Sequence, residues 1–100
     1  MSQALTLARP YARAAYAVAR DEARVDAWSQ ALAFSAQVAS DPRVTGLLLN
    51  PELANADAVT LLAPPSAEAS FTRFLGLLAD AGRLPLLAEI GVGANWDQAH

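Results

Sequence analysis

Asp41-Pro42, Asn50-Pro51, Pro64-Pro65 and Gly82 cut this chain into short segments, and nearly every segment is built from Ala and Leu. Proline and glycine punctuate regular structure, while Ala and Leu are strong helix formers. β-Branched residues, the usual material of strands, are sparse. The pattern therefore predicts an all-α protein. Hydrophobic residues make up 54 % of the 100 residues but aromatics only 7 %. A core made largely from alanine requires helices that approach closely, and this length suits one domain.

Read between its breaks, the chain gives a six-helix bundle over residues 1–90 and an irregular tail over 91–100. The first helix starts between Thr6 and Pro10, with Thr6 as a cap, and ends near Asp21. Pro10 is placed in or near its first turn, where few amides have an intrahelical partner. The second helix spans Val25 to Ala39. Val25, Trp28, Leu32 and Ala39 share one face, Phe34 and Val38 lie on its flank, and Trp28 is assigned to the core. Asp41-Pro42 is a cap followed by proline and opens a third helix, to Leu49. The fourth is expected over Asn55 to Leu62, capped by Asn55. Ser66 is expected to cap a fifth, Ala67 to Ala81, which stops at Gly82. A sixth starts around Pro85.

Composition excludes several functions. The net charge of −3 argues against a nucleic-acid-binding face, and the second, fourth and fifth helices are poor in Lys and Arg. Without cysteine there are no disulfides and no thiolate metal sites. No apolar run approaches the roughly 20 residues that span a bilayer. Arg9, Arg13 and Arg20 all precede the first acidic residue, Asp21. A mitochondrial transit peptide has such a start, but it is also Ser-rich. Only Ser2 and Thr6 fit here, so an ordinary helix with a basic outer stripe is the preferred reading.

Few side chains suggest chemistry. His100 is the lone histidine and is terminal. Asp21 and Glu22 are adjacent, and adjacent residues do not face each other on a helix. Ser66 and Ser70 have no histidine near in sequence to act as base. Gly91-x-Gly93 lacks the preceding strand of a phosphate loop. No catalytic residue, metal site or cofactor is assigned.

The first and fifth helices carry the functional signal. At about 100° per residue, Thr6, Arg9, Arg13, Ala17 and Arg20 form a mostly polar stripe. Leu5, Ala8, Ala12, Tyr16 and Ala19 form an apolar one, and Tyr11, Ala14, Ala15 and Val18 a second beside it. On the fifth helix Phe71, Leu75, Leu78 and Ala79 lie on one side of the apolar arc, and Phe74, Leu77 and Ala81 on the other. Each arc is about 200° wide, twice the ~100° that packing on one side requires. Either both helices are central in the bundle, or one side of each faces out and leaves a groove for an amphipathic helix. Pattern alone leaves both open.

The stretch Ala8-Arg9-Pro10-Tyr11-Ala12-Arg13-Ala14-Ala15-Tyr16 resembles the opening signature of the ATP synthase delta subunit family, which includes the mitochondrial oligomycin sensitivity-conferral protein. Trp28, Leu32-Ala33-Phe34 and Gly82-Arg83-Leu84 resemble later parts of that family in the same order. The resemblance implies a non-catalytic stator subunit of the F-type ATP synthase, peripheral to the bacterial inner membrane on its cytoplasmic side. It implies a six-helix domain that binds the N-terminal helix of an alpha subunit between helices 1 and 5. On this chain that groove would be lined by Tyr11, Ala14, Ala15, Val18, Arg73, Phe74, Leu77 and Leu78. The family binds the b subunits of the peripheral stalk through a second domain. Residues 91–100 depart from the family pattern, as a truncated chain or a shifted reading frame would, so neither stalk binding nor a complete sixth helix is carried onto this chain.

Overall fold

The computed structural model describes the backbone of residues 3–92 and the side chains of residues 7–90. Six α-helices run through the described residues: α1 (Gln3–Asp21), α2 (Val25–Ala39), α3 (Pro42–Leu48), α4 (Asn55–Leu62), α5 (Ala69–Asp80) and α6 (Leu87–Val92), with a 3-10 turn at Leu84–Leu86 before the last. There is no strand among these residues, in keeping with the all-α reading. α6 runs to Val92, two residues into the segment expected as tail; residues 93–100, with His100 and Gly93, lie outside the described residues.

Several boundaries differ from expectation for identifiable reasons. α1 starts at Gln3, so Pro10 lies inside the helix rather than in its first turn. Proline removes one i→i−4 bond there. Ala8, only 2 % exposed, seats the turn ahead of the proline in the core and holds the helix across the missing bond. Asn55 is not the cap of α4. That position belongs to Ala54 in extended conformation, and the Asn55 side-chain amide donates instead to Asp80 Oδ1 at 3.1 Å. Ser66 does not cap α5, because Pro65-Ser66 form the middle of a turn closed by the Ala67 N–H on the Pro64 carbonyl. The cap residue is Glu68. α3 behaves as the sequence predicts: Asp41 Oδ1 accepts from the Arg43 N–H at 2.9 Å, with Pro42 in the first turn.

The core forms where α6 packs along α2 and α1 and α4 packs on α5. Trp28, Leu32, Leu62, Phe71, Leu75, Leu78 and Leu87 are fully buried, each contributing about 1.5–3 kcal/mol of transfer free energy. Trp28 meets Phe71 edge-on at 5.2 Å between centroids and Phe74 at 5.7 Å, so an aromatic cluster joins α2 to α5. Ser35 is buried and donates its hydroxyl to the Leu62 carbonyl at 2.8 Å, tying α2 to the last turn of α4.

α1 and α5 end in the same way. In each, the chain turns through one residue of positive φ and returns two N–H groups to the last helical turn. At the end of α1 the Ala23 N–H donates to Arg20 and the Arg24 N–H to Ala19, at 3.0 and 2.8 Å. At the end of α5 the Gly82 N–H donates to Ala79 and the Arg83 N–H to Leu78, at 3.0 and 2.8 Å. This is the Schellman geometry. Glycine supplies the positive φ (70°) at position 82, but alanine does so (56°) at position 23.

Candidate functional site

Three side-chain contacts set α1 and α5 side by side and antiparallel. Ser70, at the start of α5, donates its hydroxyl to Glu22 Oε1, just past the end of α1, at 2.7 Å. Arg24 lies 3.9 Å from Glu68 at the same end. At the other end Arg83 donates from Nη1 to Tyr11 Oη at 3.1 Å, and its guanidinium carbon sits 5.7 Å from the Tyr11 ring centre. Each helix thus ends in a turn whose last arginine reaches the other helix. Between these ties most backbone neighbours of α1 belong to α6, the 3-10 turn and α2 rather than to α5.

Helical spacing shows what fills the space between the ties. Tyr11, Ala15, Val18 and Glu22 fall at i, i+4, i+7 and i+11, a single line along α1. Ser70, Phe74, Leu77 and Ala81 fall at the same spacing along α5. The first and last residues of the α1 line contact Arg83, three residues past α5, and Ser70, so this side of α1 is turned toward α5. Along the two lines Ala15 is buried at 0 % exposure and Phe74 at 8 %. Val18, at 39 %, and Leu77, at 61 %, are exposed. Leu7, on the same side of α1 as Val18, is also exposed.

The sequence-predicted residues divide accordingly. Tyr11 is partly buried, and Ala14, Val18, Arg73 and Leu77 are open to solvent. Ala15 supports the face from beneath. Leu78 is closed to any partner: it is 0 % exposed and lies toward the core, on the side of Leu75 and Phe71. Sequence reasoning missed Leu7, although it sits one helical turn before Tyr11 and could have been reached by extending the stripe. It also missed Glu22 and Ser70 as partners, since nothing in either helix alone marks the pair.

The carboxylates weighed as chemical groups have structural partners. Glu22 accepts from Ser70, and Asp21 lies 3.5 Å from Arg20. Among the described residues no three His, Cys, Asp or Glu side chains cluster as metal ligands. Nor is any described helix long and apolar enough to cross a membrane. What this face offers is apolar surface between two polar ties.

Residues 7–92 match the sequence profile of the ATP synthase delta (OSCP) subunit. The chain is 72 % identical over 90 residues to the ATP synthase subunit delta of Xanthomonas campestris pv. campestris (strain B100). It is 67 % identical over 90 residues to the proteins of the same name from Xanthomonas euvesicatoria pv. vesicatoria (strain 85-10) and Stenotrophomonas maltophilia (strain K279a). These alignments cover 90 % of the chain but 51 % of each relative, so the chain spans about half the length of the curated relatives it matches. The chain belongs to the ATP synthase delta (OSCP) subunit family, whose members are structural rather than catalytic subunits.

Proposed function

We propose that this chain is the alpha-binding part of a stator subunit of the F-type ATP synthase, and that the N-terminal helix of an alpha subunit lies along the face shared by α1 and α5. The observation that carries this reading is the pair of lines tied together at both ends, in which Val18 and Leu77 are exposed beside buried Ala15 and Phe74. An amphipathic helix meets such a face through side chains at i, i+3, i+4 and i+7. Ala14, small and exposed, lets its backbone come close to α1.

No bond is made or broken in this role. Covering a few hundred Å² of apolar surface at about 25 cal/mol/Å² yields several kcal/mol before the costs of association. One such contact is useful but modest, so the assembled stator gains from holding on at several points. In full-length relatives the remaining half would supply attachment to the b subunits of the peripheral stalk. The complex would hold the chain at the cytoplasmic face of the bacterial inner membrane, peripheral to it.

A calorimetric titration with a synthetic peptide of the alpha subunit N-terminal segment tests the proposal. One-to-one saturable binding is expected. Ala14→Asp places a charge against the incoming apolar face and should abolish binding while circular dichroism stays helical. Absence of binding by the folded parent chain, or undiminished binding by the variant, would refute the assignment.

A further inference from the structure

Arg83 touches both helices of the proposed face without belonging to either. Its backbone is fixed in the turn that ends α5, where its N–H donates to the Leu78 carbonyl at 2.8 Å and Gly82 takes φ of 70°. Its side chain is fixed on α1, donating to Tyr11 Oη at 3.1 Å while the guanidinium sits 5.7 Å from the ring centre. An arginine in that position combines a hydrogen bond with attraction to the face of the ring. The Tyr11 ring is partly buried against the core. Its outer edge lies at the end of the line that runs through Ala15 and Val18 to Glu22.

We infer that Arg83 is a positioning residue for helix docking, acting through Tyr11; this rests on the docking function proposed above. A tyrosine at the edge of an apolar face can take more than one rotamer, and one of these swings the ring over the space a partner would occupy. The guanidinium holds the ring in the rotamer that makes it an end wall. The turn at Gly82 gives the arginine a defined origin, so the wall stands at a fixed distance from α5. Docking then proceeds without the loss of side-chain freedom that an untethered ring would suffer. Ordering one such side chain on binding weakens association by roughly two- to tenfold. Arg83→Ala should weaken peptide binding by about that factor, and Arg83→Lys, which keeps the cation over the ring, by less.

The test is a double-variant cycle on the 100-residue chain. The alpha N-terminal peptide is the probe, and thermal melts and Tyr11 ring NMR relaxation are recorded in parallel. Expected are a roughly fivefold loss for Arg83→Ala in the parent background, no further loss in a Tyr11→Leu background, a melting temperature close to that of the parent, and faster Tyr11 ring motion in unbound Arg83→Ala. An equal loss in both backgrounds would mean that Arg83 meets the peptide itself, and would overturn the inference. So would a loss that tracks a fall in melting temperature, an unaltered Tyr11 ring, or no loss at all. If the folded parent fails to bind the peptide, the docking function is refuted and this inference with it. Binding by the parent with Arg83→Ala unaffected refutes the inference alone.

Discussion

Ala23→Gly should stabilise this protein and Gly82→Ala should destabilise it by a similar amount. Both residues occupy the same position in the same turn, with φ of 56° and 70° respectively. An L-residue in the left-handed region suffers a clash between Cβ and the following carbonyl that costs roughly 1–2 kcal/mol. Replacing Ala23 by glycine removes that cost but enlarges the freedom of the unfolded chain, which returns about 0.5–1 kcal/mol to the unfolded side. The net gain is about 0.5–1 kcal/mol. For a domain of this size that raises the melting temperature by roughly 2–8 °C. At position 82 an added Cβ would meet nothing within 4 Å, so Gly82→Ala reports the backbone cost alone and should lower the melting temperature by a comparable amount. The double variant should return near the parent value, provided that the two turns act independently. Thermal unfolding followed by circular dichroism measures all four proteins. A Gly82→Ala variant as stable as the parent, or an Ala23→Gly variant less stable than it, would refute the reasoning.

Ser35→Ala should cost about 1–3 kcal/mol, because it takes the hydroxyl from a buried carbonyl at the end of α4, where helical carbonyls lack intrahelical partners; urea unfolding reads the loss directly. Asp41→Asn tests a charge effect. The side-chain hydrogen bond from Arg43 holds the Asp41 carboxyl below its usual range, helped by the Arg43 backbone N–H and the guanidinium charge. A depressed carboxyl contributes stability that is present above the unfolded value of about 3.9 and is lost as pH falls through the lower, folded value. The deficit of Asp41→Asn, itself a good cap, should therefore be visible near neutral pH and fade in acid. A deficit constant across that range would show that the charge contributes nothing.

The parts of this fold legible in the sequence are those set by local chemistry. α2 starts and ends where apolar spacing and the Asp41-Pro42 cap place it, and Gly82 stops α5 as its position implied. Asn55 and Ser66 do not cap because competing structure takes the Asn55 side chain, tied to Asp80, and the Ser66 backbone, held in a proline turn. The face of α1 was legible only in part. Ala15 falls in the second apolar stripe on a helical wheel, and alanine has no bulk to indicate whether it faces the core. It is fully buried while Ala14 and Val18 of the same stripe are exposed, a split set by neighbouring elements that no reading of α1 alone could place. Leu78 enters the groove only through the resemblance; the helical wheel sets it on the side of Phe71, Leu75 and Ala79, and there it is fully buried. Contacts between distant segments, such as Ser70 to Glu22, have no local signature.

The side of α1 that enters the core consists of Ala8, Ala12, Ala15 and Ala19. Tyr11 and Tyr16 pack against the core from the flanks of this surface, but its centre offers only methyl groups and interlocks weakly with its neighbours along the helix axis. Sliding α1 by one turn, about 5.4 Å, would lay alanine where alanine had been for much of its length. Packing alone therefore leaves the axial register of α1 loosely determined. The polar bonds near either end resolve that ambiguity, since Tyr11 and Glu22 find Arg83 and Ser70 in only one alignment. In this bundle hydrophobic burial keeps α1 on the core, and four polar side chains, Ser70 alone among them buried, decide where along the core it stops.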